Sequence, residues 1–112
     1  LTFIIALNYG SKLEILEATK SLFQDIIEKK IAVGDIKLTD LDAHLYTSGI
    51  PDVDLLIRTS NELRLSNFLL WQIAYSELYF SKLLWPSFHK RDFMRAIQAY
   101  NKRNRRFGKV GN

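Results

Sequence analysis

Apolar and polar positions along the chain alternate between short runs and helix-period patterns. Residues 1–7, LTFIIAL, are apolar on both faces but for Thr2, the mark of a strand covered on both faces, as in a parallel sheet. A second short apolar stretch over 53–57 is entered through Pro51-Asp52 and predicts a strand at about 53–58, bounded by turn chemistry. Leu78, Tyr79 and Phe80 suit a third.

Between these runs the apolar positions recur at the helical period of about 3.6. Ile15, Leu22 and Ile26 lie on one row, and Leu16, Phe23 and Ile27 on the next, which predicts an amphipathic helix packed on the sheet through about Lys30. Ser11 and Glu14 have the spacing of a capping box at its start. A polar connection around Gly34 follows, and Leu38, Leu41 and Leu45 predict a short helix over 39–46, with residues 39–42 as its cap. From Phe68 to Tyr75 every residue but Gln72 is apolar, which predicts a buried helix capped by Ser66 or Asn67. Phe93, Ala96, Ile97, Tyr100 and Phe107 recur at helical spacing in a final helix with a basic outer face, and Trp85 and Phe88 read as core-capping aromatics. Strands alternating with helices imply an α/β fold, an open and mostly parallel sheet flanked by helices.

A fully buried strand at Leu1 needs neighbours on both edges and helices on both faces. This reading therefore expects residues 1–112 to be the C-terminal part of a single larger domain.

Composition then narrows the chemistry. With 47% hydrophobic and 25% charged residues the chain has the make-up of a soluble globular domain, and no apolar run approaches the roughly eighteen residues of a membrane helix. No cysteine is present, so disulfides and thiolate metal sites are excluded. Only His44 and His89 could supply imidazole. His44 reads as a surface residue. The net charge of +4 favours anionic partners, and half of the sixteen Lys and Arg residues lie after position 89.

The candidate chemistry concentrates in residues 58–77, RTSNELRLSNFLLWQIAYSE. Arg58 falls where the predicted second strand ends, and the crevice outside the carboxyl ends of parallel strands is where α/β sheets bind ligands. Arg58 and Arg64 flank a polar loop, and planar guanidinium forks grip phosphate oxygens in bidentate fashion. The residues by themselves also allow a plain solvated loop in which Glu62 pairs with an arginine. Glu77 ends the apolar stretch, where a carboxylate needs a basic partner or a hard cation.

Taken with PDVDLLIRTS before it and ELYFSKLLWPSF after it, this stretch resembles the cis-prenyltransferase family, and within it the bacterial undecaprenyl diphosphate synthases. The resemblance runs from ALNYGSKLEI to RNRRFGKV. It implies that Arg58, Arg64 and Ser66 bind the diphosphate of isopentenyl diphosphate, with Leu65 contributing through its backbone. It implies Glu77 as a Mg²⁺ ligand and a homodimer, into whose active site the Arg105-Arg106-Phe107-Gly108 segment reaches across the interface. The implied activity is prenyl transfer: condensing isopentenyl diphosphate with an allylic diphosphate, farnesyl diphosphate, into cis-polyprenyl diphosphate for the bacterial wall. The implied setting is cytoplasmic, with peripheral membrane contact for product release.

The match departs from the family pattern in places. Ser11 and Lys12 follow NYG where the family has a second glycine and an arginine, Asn61 stands for a glycine, and Ser87 for the acid of Trp-Pro-Asp-Phe. The Asp-Gly-Asn-Gly-Arg motif for the allylic diphosphate does not occur in these 112 residues. Two alternatives follow: a catalytically silent subunit or degenerate fragment, and, less favoured, a nucleic-acid-binding module on the basic final helix, against which stands the absence of a stacking motif.

Overall fold

The computed structural model describes residues 1–103. Helix α1 spans Ser11–Ile27 and α2 Leu38–Asp42; strand β1 is Leu55–Arg58, β2 is Glu77–Phe80, and helix α3 is Lys90–Asn101. Short 3₁₀ turns occur at Val33–Asp35 and Trp85–Ser87. The expected α/β arrangement is present, with the two strands pairing in parallel. Residues 104–112, including Phe107 and the Arg105–Gly108 expectations, lie outside the described residues. The chain divides into two compact units, Leu1–Pro51 with Asn67–Trp71, and Asp52–Ser66 with the residues from Gln72 onward.

In the first unit α1 begins where its capping box was expected, but by a different mechanism. Gly10 is the N-cap, and its carbonyl accepts the Glu14 N–H at 3.0 Å. Ser11 and Glu14 are both buried, at 0% and 1% exposure, and neither caps the other. Ser11 Oγ accepts the Leu70 N–H at 2.9 Å, while Glu14 accepts the Tyr9 hydroxyl and, at 2.9 Å, the Tyr46 N–H. A buried carboxylate must find donors, and two tyrosine groups supply them here.

The buried row of α1 is Ser11, Glu14, Ala18 and Leu22, rotated from the apolar rows read in the sequence. Leu16, Phe23 and Ile27 are exposed. The helix ends at Ile27, with Lys29 at φ 58, left-handed backbone that stops a helix. Helix α2 is shorter than the expected 39–46 and starts one residue earlier; Lys37 is its N-cap, with Asp40 Oδ2 accepting the Lys37 N–H at 2.7 Å. His44 is half-buried rather than on the surface, its Nε2 2.9 Å from Asp25 Oδ2 and its Nδ1 2.7 Å from the Asp40 carbonyl.

Two other expectations are corrected. Residues 1–7 form no strand and remain exposed: an apolar run on both faces becomes a buried strand only where partners flank and cover it, and the only sheet among the described residues is β1–β2. Residues 68–75 form turns instead of a helix. The reason lies in the backbone before and within the run, with Ser66, Asn67 and Leu69 at φ 52, 62 and 46. Right-handed helix cannot pass through such residues.

In the second unit β1 starts two residues later than expected, and its register with β2 pairs Leu55 with Glu77 and Arg58 with Phe80. Ser76 Oγ donates to the Val53 carbonyl, and the Glu77 N–H to the Asp54 carbonyl at 2.9 Å, so the strands are tied before the ladder begins. Helix α3 packs against β2. Ala96 is fully buried, and Asp92 closes a capping box by accepting the His89 N–H at 3.1 Å. Trp85 does not cap a core: it is 72% exposed and stacks on Phe88 at 6.4 Å.

Candidate functional site

Arg58 is the last residue of β1, at the carboxyl end of a parallel strand as expected. The chain beyond it is shaped by the loop after β2. The Ser81 N–H donates to the Arg58 carbonyl at 2.7 Å, Ser60 N–H to the Leu83 carbonyl at 2.7 Å, and Asn61 N–H to the Ser81 carbonyl at 2.9 Å. These bonds carry the two strands' association past the ladder and hold a tight bend, with Ser60 at φ 67 and Asn61 at φ 56. Asparagine tolerates this conformation better than most residues, so Asn61 keeps the left-handed backbone that a glycine would adopt freely.

The bend returns the chain to Arg58. Arg58 Nη2 donates to Ser66 Oγ at 3.1 Å, across eight residues of sequence, and leaves the hydroxyl its own proton to donate. A guanidinium carries five N–H donors, so this contact fixes the fork without exhausting it. Ser66 at φ 52 points its side chain back rather than starting a helix. Leu65 beside it is half-buried. Arg64 is not drawn into this contact: its Nη2 lies 2.7 Å from Glu62 Oε2, with 72% of the side chain exposed. Such a surface pair contributes at most about 1 kcal/mol and is readily exchanged for another anion. The structure thus joins Arg58 with Ser66 and leaves Arg64 on the same loop, held by a replaceable carboxylate.

Glu77 is the first residue of β2 and not the end of a helix. Because it pairs with Leu55 and Arg58 pairs with Phe80, the two candidate residues stand at opposite ends of the two-stranded sheet, three residue steps or roughly 10 Å of strand apart. Its Oε2 accepts Arg103 Nη1 at 2.8 Å. Among the described residues no group of three metal-ligating side chains occurs. Glu77 would thus give a cation a single, partly exposed carboxylate whose Oε2 already holds Arg103; of the hard cations, magnesium is the one that commonly keeps several waters and needs few carboxylates from the protein.

The NYG turn lies in the first unit. Asn8 adopts φ 49, while Gly10 is extended at φ −147. The first N–H groups of α1 are already taken: Ser11 N–H donates to the Asn67 carbonyl at 2.8 Å and Lys12 N–H to Asn67 Oδ1 at 2.9 Å. The sequence reading offered Asn67 as a cap for a helix over 68–75; it serves the start of α1 instead, a partner far away in the chain. Burial, followed by the hydrogen bond to Glu14, pushes the Tyr9 hydroxyl above the usual tyrosine range. The hydrogen bond to Glu17 does the same for Tyr46. These tyrosines are hydrogen-bond donors at neutral pH, serving the packing of α1.

Comparison with known proteins closes the question of family. A prenyltransferase family model described as "Putative undecaprenyl diphosphate synthase" matches residues 1–108. An isoprenyl transferase of Chlamydia trachomatis is 56% identical over 95% of this chain and 42% of its own length. A farnesyl-diphosphate-specific ditrans,polycis-undecaprenyl-diphosphate synthase of Pasteurella multocida is 57% identical over 96% of this chain and 45% of its own. The crystal structure of lavandulyl diphosphate synthase from Lavandula x intermedia, in complex with dimethylallyl diphosphate, superposes with a TM-score of 0.89 at 37% identity, covering 93% of this chain and 45% of that one. The chain thus spans a little under half the length of the relatives that it matches. With a family match over almost every residue and relatives sharing more than half of the aligned positions, the chain belongs to the cis-prenyltransferase family that includes the undecaprenyl diphosphate synthases.

Proposed function

We propose that this chain carries the isopentenyl diphosphate half-site of a cis-prenyltransferase that condenses isopentenyl diphosphate with an allylic diphosphate such as farnesyl diphosphate, building a cis-polyprenyl product. The observation that carries the reading is the Arg58–Ser66 contact at the carboxyl end of β1. It presents a charged fork and a hydroxyl proton together, and a diphosphate supplies closely spaced oxygens for both.

Arg58 grips one phosphate, Ser66 donates its hydroxyl proton to the same group, and the Leu65 backbone supports the approach. Arg64 exchanges Glu62 for the diphosphate. Held at its charged end, the isopentenyl group presents its alkene to the allylic carbon, so these residues act by orientation. Magnesium, with Glu77 as one ligand, supplies charge neutralisation for a departing diphosphate. The reading extends to a homodimer acting in the cytoplasm and releasing its product at a membrane surface; among the described residues no helix is long and apolar enough to cross a membrane.

Calorimetric titration of the purified protein with isopentenyl diphosphate tests the half-site. Saturable binding that weakens about tenfold or more in Arg58→Ala is expected, since a hydrogen bond to a charged group is worth about 1.5–3 kcal/mol. A folded protein that binds equally well with and without Arg58 refutes it.

A further inference from the structure

Arg103 closes the turn after α3 and makes two bonds with one nitrogen. Its Nη1 donates to Glu77 Oε2 at 2.8 Å and to the Leu78 carbonyl at 2.8 Å, joining the end of α3 to the first two residues of β2. The ion pair stays open to water, with 45% of the Arg103 side chain and 23% of the Glu77 side chain exposed.

We propose that Arg103 is a tethered competitor for the divalent cation at Glu77: the guanidinium holds the carboxylate until a metal displaces it, and that displacement loosens the end of α3 on β2. The inference rests on the reading of Glu77 as a magnesium ligand. Magnesium binds carboxylate oxygen at about 2.0–2.1 Å in a strict octahedron with tightly held waters, and a guanidinium 2.8 Å from the same oxygen occupies that shell and repels the incoming charge. The exchange is feasible because ion pairs this open to water are weak. It is not a titration, since arginine stays protonated at any physiological pH. Because the same Nη1 also holds the Leu78 carbonyl, losing Glu77 removes half of the attachment at this corner. Arg103 is therefore a positioning residue that acts through Glu77.

The test uses Mn²⁺ alone as the probe, its free ion followed by electron paramagnetic resonance, with the full chain and three variants. Arg103→Gln is expected to bind Mn²⁺ roughly two- to fivefold more tightly than wild type, Arg103→Lys to fall back towards wild type, and Glu77→Gln to bind more weakly. A merely structural arginine would leave affinity unchanged or lower it. Hydrogen exchange supplies a second readout: Mn²⁺ is expected to speed exchange in the last turn of α3 in wild type, and Arg103→Gln to show fast exchange with or without the ion. Weaker binding in Glu77→Gln, with Arg103→Gln no tighter than wild type, overturns the competition and leaves the metal reading standing. Affinity that ignores Glu77→Gln, or no binding by any variant, overturns both.

Discussion

Asn67 caps helix α1 across fifty-five residues of sequence: its Oδ1 accepts the Lys12 N–H at 2.9 Å while its carbonyl accepts the Ser11 N–H at 2.8 Å. Asn67 makes both bonds from left-handed backbone, φ 62, a conformation that asparagine adopts with little strain. One residue thus supplies both the cap and the backbone acceptor, and with Ser66 and Leu69 it interrupts right-handed helix at 66–69.

Asn67→Ala removes the side-chain cap and strains the backbone together, so a loss of about 1–2 kcal/mol is expected in chemical denaturation. Asn67→Gly keeps the conformation and loses only the cap, and should cost less. Equal stability of Asn67→Ala and wild type would show that the cap contributes nothing.

Gly10 is constrained by the same side chain. A Cβ there would meet Asn67 Nδ2 at 3.0 Å, closer than the amide tolerates without shifting. Gly10→Ala should therefore destabilise the protein by about 1 kcal/mol, through the Lys12 cap. In the double variant with Asn67→Gly the two losses should add to less than their sum. Strict additivity would place the cost of Gly10→Ala elsewhere.

Substitution of Arg58 by lysine keeps the charge but loses the planar fork. Isopentenyl diphosphate affinity is expected to fall about tenfold in Arg58→Lys, with Ser66→Ala intermediate between it and wild type. Thermal unfolding should move little in Arg64→Ala, whose partner Glu62 is a surface carboxylate. A large stability loss there would assign Arg64 to the scaffold rather than to the ligand.

The end of α1 should respond to pH at both extremes. Lys30 holds the Asp25 and Glu28 carboxyls below the usual range, with His44 adding to the effect on Asp25, and the same contacts raise Lys30 above the usual lysine range. For the carboxylates, stability is present above their unfolded values near 4 and is lost as pH falls through the lower folded values. For Lys30 it is present below about 10.4 and lost as pH rises through the higher folded value. Corrected for the intrinsic pH dependence of amide exchange, opening at residues 24–30 between pH 2 and 7 should rise only at the acid end in wild type. Lys30→Met should flatten that rise, and an unchanged profile would contradict the assignment.

How much of this was legible in the chain depends on how far each partner lies along it. The start of α1, the parallel strands near 55–58 and 77–80, the last helix from Lys90 and the clustering of Arg58, Arg64 and Ser66 on one loop all follow from local patterns. Periodicity, turn residues and a family-wide motif act over a few residues, and a few residues are enough to read them. The tertiary structure alone decided that Ser66 turns back to Arg58, that Asn67 serves α1, that Glu14 is held by Tyr9 and Tyr46, and that Glu77 opens a strand against Arg103. In each case a polar group chooses the donor or acceptor that folding brings nearest, and an apolar run such as 1–7 becomes a strand only where other segments pair with it and cover it. Local composition determines what a segment can form; the distant partner determines which of those forms is stable.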